Sequence, residues 1–271
     1  MSDSERYALG RSPAETQRLR LQAEIYAPHS AHLLALAGIA PGMRVLDVGC
    51  GAGDVSIQLA RLVGSEGAVI GVDVDPVVLE VARARVAEAG LANVSFIEAR
   101  LPDVPLDEPV DAMVGRLILI HLREPAATVR ALAKLVRSGG IVSFQDFNTS
   151  RSRAVPASPI SAKVVTLIID ALRAAGANPD SGDQVCSIMR DAGLLVLGAA
   201  AEGPAGSADS VMPTYAAETL RSVLPVLTAH GLATEDEVDI DTMATRIARE
   251  LKQAGAMFWA PELSGAWARV P

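Results

Sequence analysis

The stretch from Val45 to Leu62 limits what this chain can fold into more than any other. Val45-Leu46-Asp47-Val48 is a short β-branched, apolar run, the pattern of a strand buried on both faces of a parallel sheet. Gly49-Cys50-Gly51-Ala52-Gly53 follows it, and Val55-Ser56-Ile57-Gln58-Leu59-Ala60-Arg61-Leu62 then repeats apolar residues at helical spacing. Strand, glycine turn, helix is the opening half of a βαβ unit. The glycines allow a tight turn that a ligand approaches with no Cβ in the way, and the helix start beyond it offers unpaired N–H groups.

The spacing selects the ligand class. A dinucleotide fingerprint, Gly-x-Gly-x-x-Gly, would put its third glycine at position 54, which is Asp54; the glycines fall at 49, 51 and 53. Asp47 stands just before the turn, where a carboxylate repels a pyrophosphate and suits a cationic amino-acid tail. Val69-Ile70-Gly71-Val72-Asp73 reads as the next buried strand. Asp73 ends it 20 residues after Gly53, the place for a carboxylate that accepts both ribose hydroxyls. Asp75-Pro76 caps the following helix, which Gly90 ends, so Asp73 is not needed as a cap.

Further strands read at Asn93–Glu98, Val110–Val114, Ile141–Phe147 and Leu194–Ala199, with helices between them. Strand and helix alternate from 40 to 200 with short links, which predicts a parallel sheet with helices on both faces. Asp47 to Gly53, with Asp73 at its distance, resembles the first motifs of the class I S-adenosylmethionine-dependent methyltransferases, of the UbiE-like kind that acts on small molecules. The resemblance covers about residues 40–200 and weakly the last strand.

It implies an α/β, Rossmann-like, doubly wound and mostly parallel seven-stranded sheet, with a helical N-terminal lid and an inserted helical cap. It implies S-adenosylmethionine as cofactor, held by Tyr26, Asp47, Gly49, Cys50, Gly51, Gly53, Asp73, Val74, Arg100, Leu101 and Arg116. The family's third strand typically ends in Gly-Asp-Ala, whose aspartate meets the adenine amino group; Ala99-Arg100-Leu101 stands here, so Arg100 stacking or the Leu101 backbone takes that part. Gly115-Arg116-Leu117 resembles the fourth motif, where the residue matching Arg116 lies against the cofactor. His121 and Asp146, at the ligand edge of strands four and five, are the candidate proton acceptors, with His29 behind them. For each, a structural hydrogen bond is the plainer role.

The domain boundaries read as 1–39 for the lid, 40–202 for the cofactor-binding core with an inserted helix near 158–176, and 203–271 for the helical cap and last strand. Residues 1–11 look loose, and Ser12-Pro13-Ala14-Glu15 is a capping box for a helix that Pro28 ends, with a second helix from about Ser30 to Ala37. Thr149–Pro159 reads as a mobile connection and 203–213 as a loop. Pro225 interrupts a helix from Pro213 to about His230, and Thr234 opens another. Ala256–Ala260 and Ala266–Val270 look strand-like, the latter as the antiparallel last strand. Tyr215, His230, Phe258 and Trp259 are candidate pocket walls.

Composition excludes several functions. A net charge of −8 with only three lysines argues against a nucleic-acid substrate. No apolar run is long enough for a bilayer, no metal-ligand spacing stands out, and two cysteines, Cys50 and Cys186, fit a reducing cytoplasm. The partner expected is a small, partly apolar methyl acceptor, with O-, N- and C-methylation all open, and association into a homodimer is left open as well. Two other readings stand beside this one: a non-catalytic S-adenosylmethionine-binding protein, and a nicotinamide-dependent dehydrogenase, which the glycine spacing disfavours.

Overall fold

The computed structural model describes residues 13–271. Residues 1–11, which the sequence reads as loose, and the Ser12 cap lie outside the described residues. The chain forms two compact units. A sheet unit takes residues 27–146, 182–201 and 264–271, and a helical unit takes the described residues up to Tyr26 together with 147–181 and 202–263. These units cut the chain at points other than the sequence boundaries, most of all at 147–181, which belong to the helical unit, while 264–271 join the sheet unit as the last strand expected there.

In chain order the elements are α1 (Pro13–Ala37), β1 (Arg44–Val48), α2 (Asp54–Val63), β2 (Ala68–Asp73), α3 (Pro76–Glu88), β3 (Val94–Glu98), β4 (Val110–Arg116), α4 (Pro125–Leu132) and β5 (Val136–Asn148). They continue with β6 (Arg153–Val155), α5 (Pro159–Ala174), α6 (Val185–Asp191), β7 (Leu195–Glu202), β8 (Ala205–Gly206), α7 (Met212–Ala229), α8 (Glu235–Val238), α9 (Ile240–Ala254), β9 (Met257–Trp259) and β10 (Glu262–Arg269).

The large sheet has seven strands in the order β3-β2-β1-β4-β5-β10-β7, with β3, β2, β1, β4 and β5 all parallel. The start of β5 meets the end of β10, as Gly139 N–H donates to the Val270 carbonyl at 2.9 Å, so β10 runs against its neighbour. Alternation along the strands supplies two cores. Leu46, Val48, Met113 and Phe144 pack with Leu132 of α4 and Met189 of α6 on one face. Val45, Val69 and Ile141 pack with Leu34 of α1 and Leu59 of α2 on the other. Each of these side chains contributes about 1.5–3 kcal/mol by leaving water, which is why Val45, Leu46 and Val48 make the first strand apolar on both faces.

In the helical unit α5 packs on α7, and α7 on α9. Ser158 caps α5 and Thr234 closes a capping box on α8, as the sequence indicates. Tyr26 stacks at 4.6 Å from Phe147 and 6.1 Å from Tyr215, and its hydroxyl donates to the Pro261 carbonyl at 2.8 Å. A second sheet, β6-β9-β8, is antiparallel throughout.

Several local expectations are corrected. The helix expected to end at Pro28 is one helix of 25 residues. A proline within a helix costs about 3 kcal/mol, and apolar burial on either side of it, Ala23 and Tyr26 before and Leu33, Leu34 and Ala37 after, offsets that cost. Pro225 likewise sits inside an unbroken α7. The expected connection 149–159 holds a 3₁₀ turn, Thr149–Arg151, and then β6, while the loop 203–213 holds β8. Both short strands exist because β9 has two edges to pair. Among the described residues no helix is long and apolar enough to cross a membrane, and no group of three or more His, Cys, Asp or Glu could hold a metal ion.

Candidate active site

The strand order reverses beside β1, and in open α/β sheets ligands bind at the carboxyl ends of the strands where this happens. Those ends carry Asp47 on β1, Asp73 on β2, Arg116 on β4 and Asp146 on β5. All four belong to the sheet unit.

The turn after β1 is open backbone. Gly49, Gly51 and Gly53 have φ of +68°, +53° and +82°, conformations that L side chains rarely adopt. No atom lies within 4 Å of where a Cβ on Gly51 would stand, whereas one on Gly49 would come within 2.6 Å of Ile118 Cδ1. Asp73 holds the turn from β2: its Oδ2 accepts from Gly51 N–H and its Oδ1 from Asp75 N–H, each at 3.0 Å. Asp75 does cap α3, accepting from Val77 N–H at 2.9 Å.

Asp47 is 1% exposed and accepts from Ser56 Oγ at 2.6 Å. Burial pushes its carboxyl up to about 6, against the Ser56 hydrogen bond and the charge of Arg116, which both favour the ionised form. Arg116 Nη1 is buried and has no hydrogen-bond partner. Burial lowers the pKa of this guanidinium, and the charges of Asp54 and Asp47 oppose that fall. Asp54, the first residue of α2, pairs with another arginine: Arg85 of α3 donates from Nη2 to Asp54 Oδ1 at 2.6 Å and from Nη1 to the Ala52 carbonyl at 2.7 Å. Ser56 and Arg85 escaped the sequence reading. Arg85 lies 31 residues from Asp54, so no local pattern links the two.

Cys50 is buried, and desolvation keeps its thiol protonated. Val74 is exposed, Arg100 is exposed at the end of β3, and Leu101 packs half-buried against the core. Tyr26 takes its place in the aromatic cluster of the helical unit, with Tyr215 and Phe258 buried in that unit as well. Trp259 lies under Arg153 at 5.3 Å on the small sheet, and His230 is exposed just past α7.

Beyond β4 the chain turns sharply. Leu117 takes φ +57°, strain that a non-glycine residue bears only when its surroundings impose it, and its N–H donates to the Gln145 carbonyl at 2.8 Å. A 3₁₀ turn, Leu119–His121, follows. Asp146, 1% exposed, accepts from Ile120 N–H at 3.3 Å and so ties this turn to β5. Water still reaches His121, yet the protein around its ring lowers its pKa by desolvation, which the charge of Asp73 opposes. Gln145 is buried, and its Oε1 accepts from Ser30 Oγ of α1 at 2.7 Å.

The donor and acceptor set suits a ligand with a carboxylate, an ammonium and a ribose. Arg116 Nη1 is a buried donor without a partner, Asp47 a buried acceptor, Asp73 a carboxylate beside the turn, and Gly51 a stretch of backbone with nothing over it.

Known proteins resemble this chain. An aklanonic acid methyltransferase, DauC, of Streptomyces sp. (strain C5) is 33% identical over 127 residues, which cover 46% of this chain and 57% of that protein. A ubiquinone/menaquinone biosynthesis C-methyltransferase, UbiE, of Shewanella frigidimarina is 29% identical over 122 residues, 44% of this chain and 49% of that one. The chain thus spans about half the length of the curated relatives it matches. The crystal structure of a SAM-dependent methyltransferase from Aquifex aeolicus superposes with a TM-score of 0.51 at 25% identity, over 73% of this chain and 92% of that one. A family profile described as a methyltransferase domain matches residues 39–193, more than half of the sequence. With the glycine turn, the two acidic strand ends and the seven-stranded sheet at hand, the chain belongs to the methyltransferase-domain family, with the fold of its class I, S-adenosylmethionine-dependent members.

Proposed function

We propose that this protein transfers a methyl group from S-adenosylmethionine to a small, partly apolar molecule. The observation that carries the reading is the buried, unpartnered Nη1 of Arg116 at the sheet end that also bears Asp47, Asp73 and the open Gly51 backbone. In this reading Arg116 takes the carboxylate of the cofactor, Asp47 its ammonium, and Asp73 the ribose hydroxyls. Two charge-assisted hydrogen bonds to a ribose are worth about 1.5–3 kcal/mol each. Bound S-adenosylmethionine supplies an electrophilic methyl on a sulfonium.

The chain's own residues then have two tasks, to orient the reactants and to exclude water. For an acceptor that loses a proton, His121 is the base. Its lowered pKa keeps a ring nitrogen unprotonated at neutral pH, and Asp146 fixes the turn that presents it. Asp146, buried and bonded to backbone, fits that supporting part better than direct proton transfer. The acceptor class draws support from relatives named for aklanonic acid and for ubiquinone and menaquinone biosynthesis.

Titration calorimetry tests the cofactor reading. The protein is expected to bind S-adenosylmethionine, and Asp73→Ala to bind it at least tenfold more weakly, about 1.4 kcal/mol. Unchanged binding by that variant overturns the ribose assignment. Transfer of a labelled methyl to a panel of quinone-like and polyketide-like molecules tests the acceptor class, and binding without transfer to any of them favours a non-catalytic protein.

A further inference from the structure

Asp54 carries its charge where a helix start favours a negative one. It opens α2 directly after the glycine turn that follows β1, and Arg116, the guanidinium whose Nη1 is buried and unpartnered, closes β4, the parallel neighbour of β1, where the charge of Asp54 acts on it. A buried N–H without an acceptor costs about 1–3 kcal/mol, so a neighbouring carboxylate free to turn would fill it. Asp54 does not. Its Oδ1 is taken at 2.6 Å by Arg85, which reaches over from α3 and is anchored by its other Nη at 2.7 Å to the Ala52 carbonyl inside the turn. Both side chains of that pair are half-buried, 25% and 20% exposed, so the contact is largely shielded from screening by solvent. The short, charge-assisted geometry is of the strong kind, and the fork of the guanidinium fixes its direction.

We propose that Arg85 is a positioning residue that keeps Asp54 away from Arg116, so that Arg116 stays available for the carboxylate of the cofactor. The inference rests on the cofactor reading above and assigns a role to an ion pair on a neighbouring helix. The chain carries a built-in competitor for its own anion subsite and a second arginine that holds the competitor aside. Without Arg85, Asp54 closes onto Arg116, and a ligand with a carboxylate must displace it, while a ligand lacking that group loses nothing.

Calorimetry on the full chain tests this with two probes, S-adenosylmethionine and 5′-methylthioadenosine, a thioether nucleoside without the amino-acid end. Arg85→Ala is expected to weaken S-adenosylmethionine binding at least tenfold and to change methylthioadenosine binding less than twofold. Adding Asp54→Asn to Arg85→Ala removes the competing charge and is expected to restore S-adenosylmethionine binding to within about threefold of the wild type. Arg85→Gln, closer in volume, serves with the same expectations if the alanine variant fails to fold, and far-UV circular dichroism establishes that point for each. Equal loss for both probes, no loss for either, or no recovery in the double variant overturns the proposal while leaving the cofactor reading in place. A wild type that binds neither probe overturns both together.

Discussion

Asp47 is a charge placed where the fold alone would not want one. Its pKa rises to about 6 because burial disfavours the carboxylate more than Ser56 and Arg116 favour it. The unfolded chain ionises this group near its ordinary value, so the penalty is absent below about pH 4, grows between about 4 and 6, and is complete above 6. Two pKa units correspond to about 3 kcal/mol. Asp47→Asn keeps the shape and an acceptor for Ser56 while removing the charge. It is expected to stabilise the ligand-free protein by about 2–3 kcal/mol at pH 7, with the gain vanishing near pH 4, as urea titrations at the two pH values would show. The same variant is expected to bind S-adenosylmethionine more weakly, so that stability and binding move in opposite directions. At this scale the sequence was informative wherever a residue acts through its position on a strand. Asp47 and Asp73 stand at strand ends that hydrophobic patterning alone locates. Arg85 and Ser56 act through contacts made after folding, and nothing in their neighbourhoods marks them.

Among the elements, the inner parallel strands were legible because burial on both faces demands mostly apolar runs, and α3, α5 and α8 because their caps are local chemistry. Legibility failed where tertiary packing overrides a local rule. Pro28 is a helix breaker by every local measure, yet α1 passes through it. Since that proline is exposed and removes a backbone donor, Pro28→Ala is expected to raise the free energy of unfolding by about 1–3 kcal/mol in urea titrations. A decrease would mean that the proline contributes more by restricting the unfolded chain than it loses in the helix. The strands β6 and β8 hid for a related reason. With three and two residues they are too short to show any period, and they exist only as partners of β9.

The molecule as a whole is woven from two units between which the chain passes five times, at 26/27, 146/147, 181/182, 201/202 and 263/264. Sequence patterning sees successive elements and not which distant segments rejoin, which is why its boundaries followed the order of the chain. The strongest test of this weave lies in β10, whose Ala266 is fully buried on a strand with a neighbour on each side, one place in from the edge of the large sheet. Ala266→Pro removes a backbone donor from an inner strand and is expected to cost at least about 3 kcal/mol, lowering or abolishing the cooperative thermal transition followed by circular dichroism.

The position of β10 also bears on how the protein is made. Within the large sheet β7 has β10 as its one neighbour, and β5 needs β10 on its far side. All of 203–261 must leave the ribosome before that strand can slot in. Until then a nascent chain carries β7 with neither edge paired, its backbone donors and acceptors open to every other growing copy. A holding chaperone would favour recovery of folded protein, because it shields that bare strand during the delay.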